Sequence, residues 1–170
     1  MPYPPYHTIG GTNIQVLAPE DNLDFFDTQS IELPRKISSI DAWNIVMSRP
    51  MPIIKIAFKI RDAISSRFGI KPILGFSINR PKSLSIGDKL DFFLVEHVTS
   101  NILTLTSRDR HLDVMTCVTT ANNRLSITSS VKVHNTFGHF YMLPVAPAHK
   151  LIVRNMLKKI GRELSSTKHD

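Results

Sequence analysis

Cysteine is nearly absent from this chain of 170 residues, Cys117 being its one thiol. A single thiol excludes an internal disulfide and every metal motif built on paired cysteines, a usage that fits a reducing compartment and makes the cytoplasm the default expectation. Long hydrophobic runs are missing as well. No window approaches the roughly 20 apolar residues of a membrane-spanning helix, so no transmembrane segment is expected. The opening Met1-Pro2-Tyr3-Pro4-Pro5-Tyr6 has no cationic stretch leading into an apolar one, hence no evident export signal. Glycine-rich phosphate and dinucleotide loops are also lacking.

What is present is enough for one domain with a full core, at 42% apolar residues. The net charge of +7 is unevenly placed: residues 1–34 hold Glu20, Asp21, Asp24, Asp27 and Glu32 and no lysine or arginine, so the rest is more basic than the total. That asymmetry suits acidic partners or internal pairing. The basic residues are spread over helices and turns without an aromatic-interleaved module, and no nucleic-acid partner is expected.

In chain order, residues 1–22 are rich in proline and glycine and read as an extended arm, residues 23–165 as a single domain, and 166–170 as a disordered tail. Phe25, Phe26, Ile31 and Leu33 mark a strand between Asp24 and Leu33. Ser38 and Asp41 form a capping-box pattern that opens a short helix through Ala42, Trp43, Ile45, Val46 and Met47. A second helix is expected from Pro52 to Gly69, with Ile53, Ile56, Ala57, Ile60, Ile64 and Phe68 on one face. From Lys89 the chain turns β-rich, through Phe92 to Val95, Ile102 to Thr106, Leu112 to Val118 and Leu125 to Val133, with short links that imply an antiparallel meander. A further strand, Phe140 to Leu143, a Pro144 to Pro147 corner and a helix from Ala148 to about Leu164 complete it. In that helix Ile152, Val153, Met156, Leu157, Ile160 and Leu164 share one side.

The turns suggest registers. A two-residue loop at Asn122-Asn123 places Leu112 opposite Val133, Val114 opposite Val131 and Val118 opposite Ile127. A second loop at Asp109-Arg110 places Leu105 opposite Val114 and Leu103 opposite Thr116. Both put the apolar residues on one shared face, which a slip by one residue would spoil. The other face, with His111, Asp113, Met115 and Cys117 beside Thr128, Ser130, Lys132 and His134, then reads as exposed or partner-facing.

The fold class is therefore α+β, with the element order of a helix-grip architecture: a curved antiparallel sheet wrapped around a long C-terminal helix, with two helices near the N-terminal half. Such a grip leaves a mostly apolar cavity with a few polar groups. Candidate lining residues are Trp43, Arg61, Phe92, Leu112, Val114, Val131, Val133, Phe140, Met142 and Met156. Tyr141 is a further aromatic that could line it, and His149 is expected at the first turn of the last helix with no catalytic role.

A four-residue link at Asn135 to Gly138 would set His139 opposite His134, beside His111 and Asp113. Three imidazoles and a carboxylate in a row could hold zinc. The plainer reading, an exposed polar row with Asp113 paired to Lys132, is preferred, and no cofactor is expected. No nucleophile with its base and no converging carboxylates assemble from the pattern, so a catalytic assignment is left open.

The run Asp109-Arg110-His111-Leu112-Asp113, then Val133-His134-Asn135-Thr136-Phe137-Gly138-His139-Phe140-Tyr141-Met142 and Pro147-Ala148-His149, resembles the domain-of-unknown-function family 2867. Trp43-Asn44-Ile45-Val46-Met47 and Phe58-Lys59-Ile60-Arg61-Asp62 fit its helical half. The resemblance implies a START-like (SRPBCC) helix-grip domain, a superfamily of lipid, hormone and polyketide binders with some cyclases and hydrolases. It implies a small hydrophobic or amphipathic ligand held between sheet and helix, with a cofactor-free enzyme as the alternative. Relatives fused behind a nucleotide-binding reductase domain imply a third role, as an accessory to a separate reductase. A homodimer is compatible with all three.

Overall fold

The computed structural model describes residues 6–9, 12–47 and 81–166. The expected helix from Pro52 to Gly69, and Arg61 with it, lie outside the described residues.

Strands β1 (Tyr6–Ile9) and β2 (Thr12–Gln15) pair antiparallel. After a single 3-10 turn at Glu20–Asn22 come β3 (Phe25–Glu32) and helix α1 (Ser39–Met47). Four antiparallel strands and a two-residue edge strand follow: β4 (Lys89–Leu90), β5 (Phe93–Val98), β6 (Ile102–Arg108), β7 (Leu112–Ala121) and β8 (Arg124–Val133). The chain closes with α2 (Thr136–Ser166). β3 to β8 make one curved sheet in the order β3-β8-β7-β6-β5-β4, so β3 leaves the sequential meander and pairs with β8.

Local chemistry explains most boundaries. Ser38 Oγ accepts from the Asp41 backbone N–H at 3.0 Å and donates to Asp41 Oδ2 at 2.7 Å, the capping box at the start of α1. Asn122 and Asn123 take φ of 52° and 55°, the left-handed pair a two-residue hairpin loop demands. Their register is the expected one, Leu112 with Val133, Val114 with Val131 and Val118 with Ile127.

The neighbouring hairpin differs. Leu105 faces Thr116 and Leu103 faces Val118, because the loop is at Arg110-His111 and not at Asp109-Arg110. Asp109 Oδ1 accepts from the N–H groups of His111 at 2.7 Å and Leu112 at 3.0 Å, so the aspartate closes the turn from its flank. Moving a loop by one residue slides the pairing by two, and a slide of two keeps every side chain on its face. The concave face therefore stays apolar despite the slip.

Two further expectations are corrected. Phe140 to Leu143 is no strand, and Pro144 to Pro147 no corner: both lie inside α2. The prolines remove donors that would have bonded the carbonyls of Phe140 and Leu143. Those residues are exposed, at 68% and 69%, so water can take the freed carbonyls. The convex face is open only in part: Lys132 and His134 are exposed, but its middle is covered. Ile14 and Val16 bury against Cys117, with Phe26 and Ile102 beside them, and the Leu17 N–H donates to Ser130 Oγ at 3.1 Å. Met115, Cys117, Thr128 and Ser130 are each buried as a result.

Helix α2 lies over the concave face and buries Val153, Met156, Leu157, Ile160 and Leu164, each contributing about 1.5–3 kcal/mol. It starts at a tight clasp. Asn135 Oδ1 accepts from the Gly138 N–H at 3.1 Å, an N-cap bond, and from His111 Nδ1 at 3.1 Å, while Asn135 Nδ2 donates to the Arg110 carbonyl at 3.0 Å. A Cβ on Gly138 would sit 2.6 Å from the His111 carbonyl oxygen and 2.6 Å from Val133 Cγ1.

Glycine to alanine inside a helix ordinarily gains about 1 kcal/mol. At Gly138 the sign should reverse, because the His111 carbonyl also accepts from the His134 N–H at 2.8 Å and has little freedom to retreat. Gly138→Ala is expected to lose about 1–3 kcal/mol in urea unfolding; equal or higher stability would contradict the clasp.

Candidate functional site

Between the concave sheet and α2 lies a cavity of about 240 Å³. Among the described residues, α1 contributes Ala42, Trp43, Val46 and Met47, and the sheet side contributes Phe92, Phe93, Val114, Thr116, Val118, Leu125 and Ile127. The helix adds Tyr141, Val145, Ala148, His149, Ile152, Val153, Met156 and Ile160.

These residues meet there for reasons visible in the backbone. Val114, Thr116 and Val118 alternate on β7 and point to one face, with Ile127 opposite Val118 on β8. The Ser39 N–H donates to the Ser100 carbonyl at 2.8 Å and Ser39 Oγ to the Thr99 carbonyl at 2.9 Å. These bonds pin α1 to the β5–β6 turn and bring Trp43 edge-on to Phe93, ring centroids 6.0 Å apart.

Polarity enters at one side. Asp27 pairs with Ser129, and Ser129 with Thr116, across three neighbouring strands. Thr116 Oγ1 and Ser129 Oγ lie 3.4 Å apart, and Gln29 Nε2 reaches Asp27 Oδ2 at 2.8 Å and the Lys150 carbonyl at 3.0 Å. Above this row sits His149, its ring edge-on to Phe25 with centroids 5.6 Å apart. His149 Nδ1 is closed to solvent and meets no hydrogen-bond partner among the described residues. Burial pulls the imidazole pKa below its ordinary value, and the nearby Asp27 carboxylate opposes that pull. The ring is thus a neutral polar group in an apolar wall.

Of the residues singled out from the pattern, Trp43, Phe92, Val114 and Met156 line the cavity. Leu112, Val131, Val133 and Met142 gather instead with Phe25 in a separate apolar cluster, beyond the cavity wall. Phe140 is exposed on the outer side of α2, since its segment is helical. Thr116 and His149 were not singled out as lining residues. The alternation of β7 already placed Thr116 between Val114 and Val118, whereas the place of His149 depended on α2 starting at Thr136 rather than Ala148.

The histidine row is dispersed. His139 belongs to the first turns of α2 and its N–H bonds the Asn135 carbonyl. His134 Nε2 lies 3.1 Å from Asp113 Oδ1, and Lys132 Nζ donates to the Asn22 carbonyl instead of pairing with Asp113. His111 is buried against Phe137 and both of its ring nitrogens are engaged. Nε2 accepts from Arg110 Nε at 3.0 Å, so Nδ1 carries the proton given to Asn135. Among the described residues no three His, Cys, Asp or Glu side chains are grouped to hold a metal ion. Cys117 lies on the opposite, convex face, its thiol pKa pushed up by burial. Among the described residues no helix is long and apolar enough to cross a membrane.

A family model described as a protein of unknown function (DUF2867) matches residues 20–156. The chain belongs to the DUF2867 family. No curated protein matches it. The DUF2867 match takes in the clasp at Arg110, His111, Asn135 and Gly138 and the cavity wall as far as Met156.

Because the folded imidazole of His149 resists a proton that the unfolded chain accepts near pH 6.5, acid uptake favours the unfolded state. Stability should therefore fall between pH 7 and pH 5, and His149→Phe should fall less steeply. Equal slopes in urea midpoints for the two proteins would contradict a buried neutral His149.

Proposed function

We propose that this protein binds a small hydrophobic or amphipathic molecule in the cavity between the sheet and α2. The observation that carries the proposal is the space itself. The wall is almost wholly apolar, so water standing in the pocket finds few hydrogen bonds there, and a guest that displaces it takes apolar area out of water. A guest that fills it recovers the missing dispersion contacts. The wall offers apolar area from three elements and a few polar atoms at one side, the composition of sites that bury a small organic molecule. The likeness of the element order to START-like helix-grip domains supports the same role, and we place the chain in that superfamily on that ground.

Cofactor-free catalysis in the same cavity is the alternative. Binding is preferred because the one thiol of the chain faces away from the cavity, and among the described lining residues His149 has no second acid or base beside it.

Trp43, the single tryptophan of the chain, reports on the site directly. Titration with propylbenzene, naphthalene and decanol should change Trp43 emission saturably, and a compound at 100 times its dissociation constant should add about 2.7 kcal/mol of stability. Ala148→Phe, which fills the cavity from the helix side, should weaken binding at least about tenfold while the fold persists, since the lost contacts are those of the guest. No response from wild-type protein to any of these compounds, in emission or in melting temperature, would reject the proposal.

A further inference from the structure

The outer side of α2 carries apolar side chains that the packing of the domain leaves in water. Of the five exposed large apolar residues among the described residues, three belong to this side: Phe140 at 68%, Leu143 at 69% and Leu151 at 47%. Single exposed leucines are ordinary, but these recur at helical steps with the exposed rings of Pro144 and Pro147 between them, and so form one patch. Beyond Leu151 the same line of the helix runs on through Arg154, Lys158 and Arg162. All three are exposed, and none forms an ion pair among the described residues. The one acid of α2, Glu163, lies to the side of this line against Lys159. One helix face is thus apolar in its first half and cationic in its second.

We propose that this face rests on an anionic membrane surface, with Phe140, Leu143 and Leu151 among the lipid headgroups and Arg154, Lys158 and Arg162 against lipid phosphates. The proposal does not depend on what fills the cavity. An anionic bilayer answers both halves together: apolar side chains leave water, and the cations meet a surface of opposite charge. A second copy of the chain fits less well. Three apolar side chains and two proline rings fall short of the ~800 Å² per partner of a standard protein interface, and the same face of a twin offers the cations no acid. The prolines also set the depth. They leave the carbonyls of Phe140 and Leu143 without helical donors, and such groups are costly in hydrocarbon, whereas the headgroup layer still holds water. The helix therefore lies on the bilayer and does not cross it.

The test is cosedimentation of the full chain with vesicles of phosphatidylcholine, alone and mixed with phosphatidylglycerol. Wild-type protein should bind the mixed vesicles and not the pure ones, and raising NaCl from ~0.05 M to ~0.5 M should weaken binding roughly tenfold, because screening shortens the reach of the cations. Arg154→Gln with Lys158→Gln should weaken it roughly tenfold at low salt, and Phe140→Ser with Leu143→Ser by a similar factor. All four positions are exposed, so the far-ultraviolet spectra should match wild type; the lipid and salt comparisons stand on wild-type protein alone if a variant does not fold. No binding to the mixed vesicles, equal binding to both kinds, or folded variants that bind like wild type would overturn the proposal. A wild-type dimer that Phe140→Ser with Leu143→Ser returns to monomer would overturn it too, by giving the face to a second copy.

Discussion

The approach of Gly138 to the His111 carbonyl fixes where α2 begins and, through that, what lies over the sheet. There is no room for a Cβ at this point, and Asn135 bonds both the first turn of the helix and the Arg110-His111 loop. The helix therefore leaves the end of β8 at a set angle to the β6–β7 hairpin. Its later turns bury Val153, Met156, Leu157 and Ile160 against the concave face, and the turn between holds Val145, Ala148 and His149 over the gap. The residues through which the chain resembles its family are thus mostly the parts of this joint. Their chemistry is capping, close approach and hydrogen bonding between backbone segments, which accounts for a motif rich in His, Asn and Asp without requiring a metal or a reaction.

The two sides of the sheet have different fates. On the convex side, hydroxyls and the thiol of Cys117 are sealed beneath Ile14 and Val16, and the Leu17 N–H satisfies Ser130. On the concave side the apolar residues are shared between the buried stripe of α2 and a cavity that neither fills. Among the described residues, polarity enters there along the row from Asp27 through Ser129 to Thr116, with His149 above it and Tyr141 in the helix wall. A binding site of this kind gains affinity from apolar contact and selects its guest by very few polar atoms.

Much of this was legible in the residues. Asn122-Asn123 fixed one register outright, because two consecutive positive φ values suit asparagine and only one loop length fits. The six-residue stripe from Ile152 to Leu164 announced the buried face of α2 and Met156 with it, while Trp43 came from the short helix after the capping box, Phe92 from the β-rich run and Val114 from the hairpin registers. The Arg110-His111 loop was misplaced by one residue because Asp109 acts from outside the loop, capping it with its side chain. Pro144 and Pro147 misled for a related reason: proline normally ends a helix, but here the freed carbonyls belong to exposed residues and the N-cap had already been set at Asn135. Missing that continuity hid His149, which pattern alone would leave at a helix end. The cover over the convex face was invisible because Ile14 and Val16 lie in a short segment without periodicity, and their burial is decided by the sheet they cross.

The central claim is that the concave sheet and α2 enclose space that apolar matter can enter. Crystals of the protein pressurised with xenon test it most directly, since xenon settles in apolar voids without needing a hydrogen bond. The account predicts xenon density between Trp43, Val114 and Met156. An absence of xenon there, with Phe92 or Met156 turned inward to fill the gap, would contradict it.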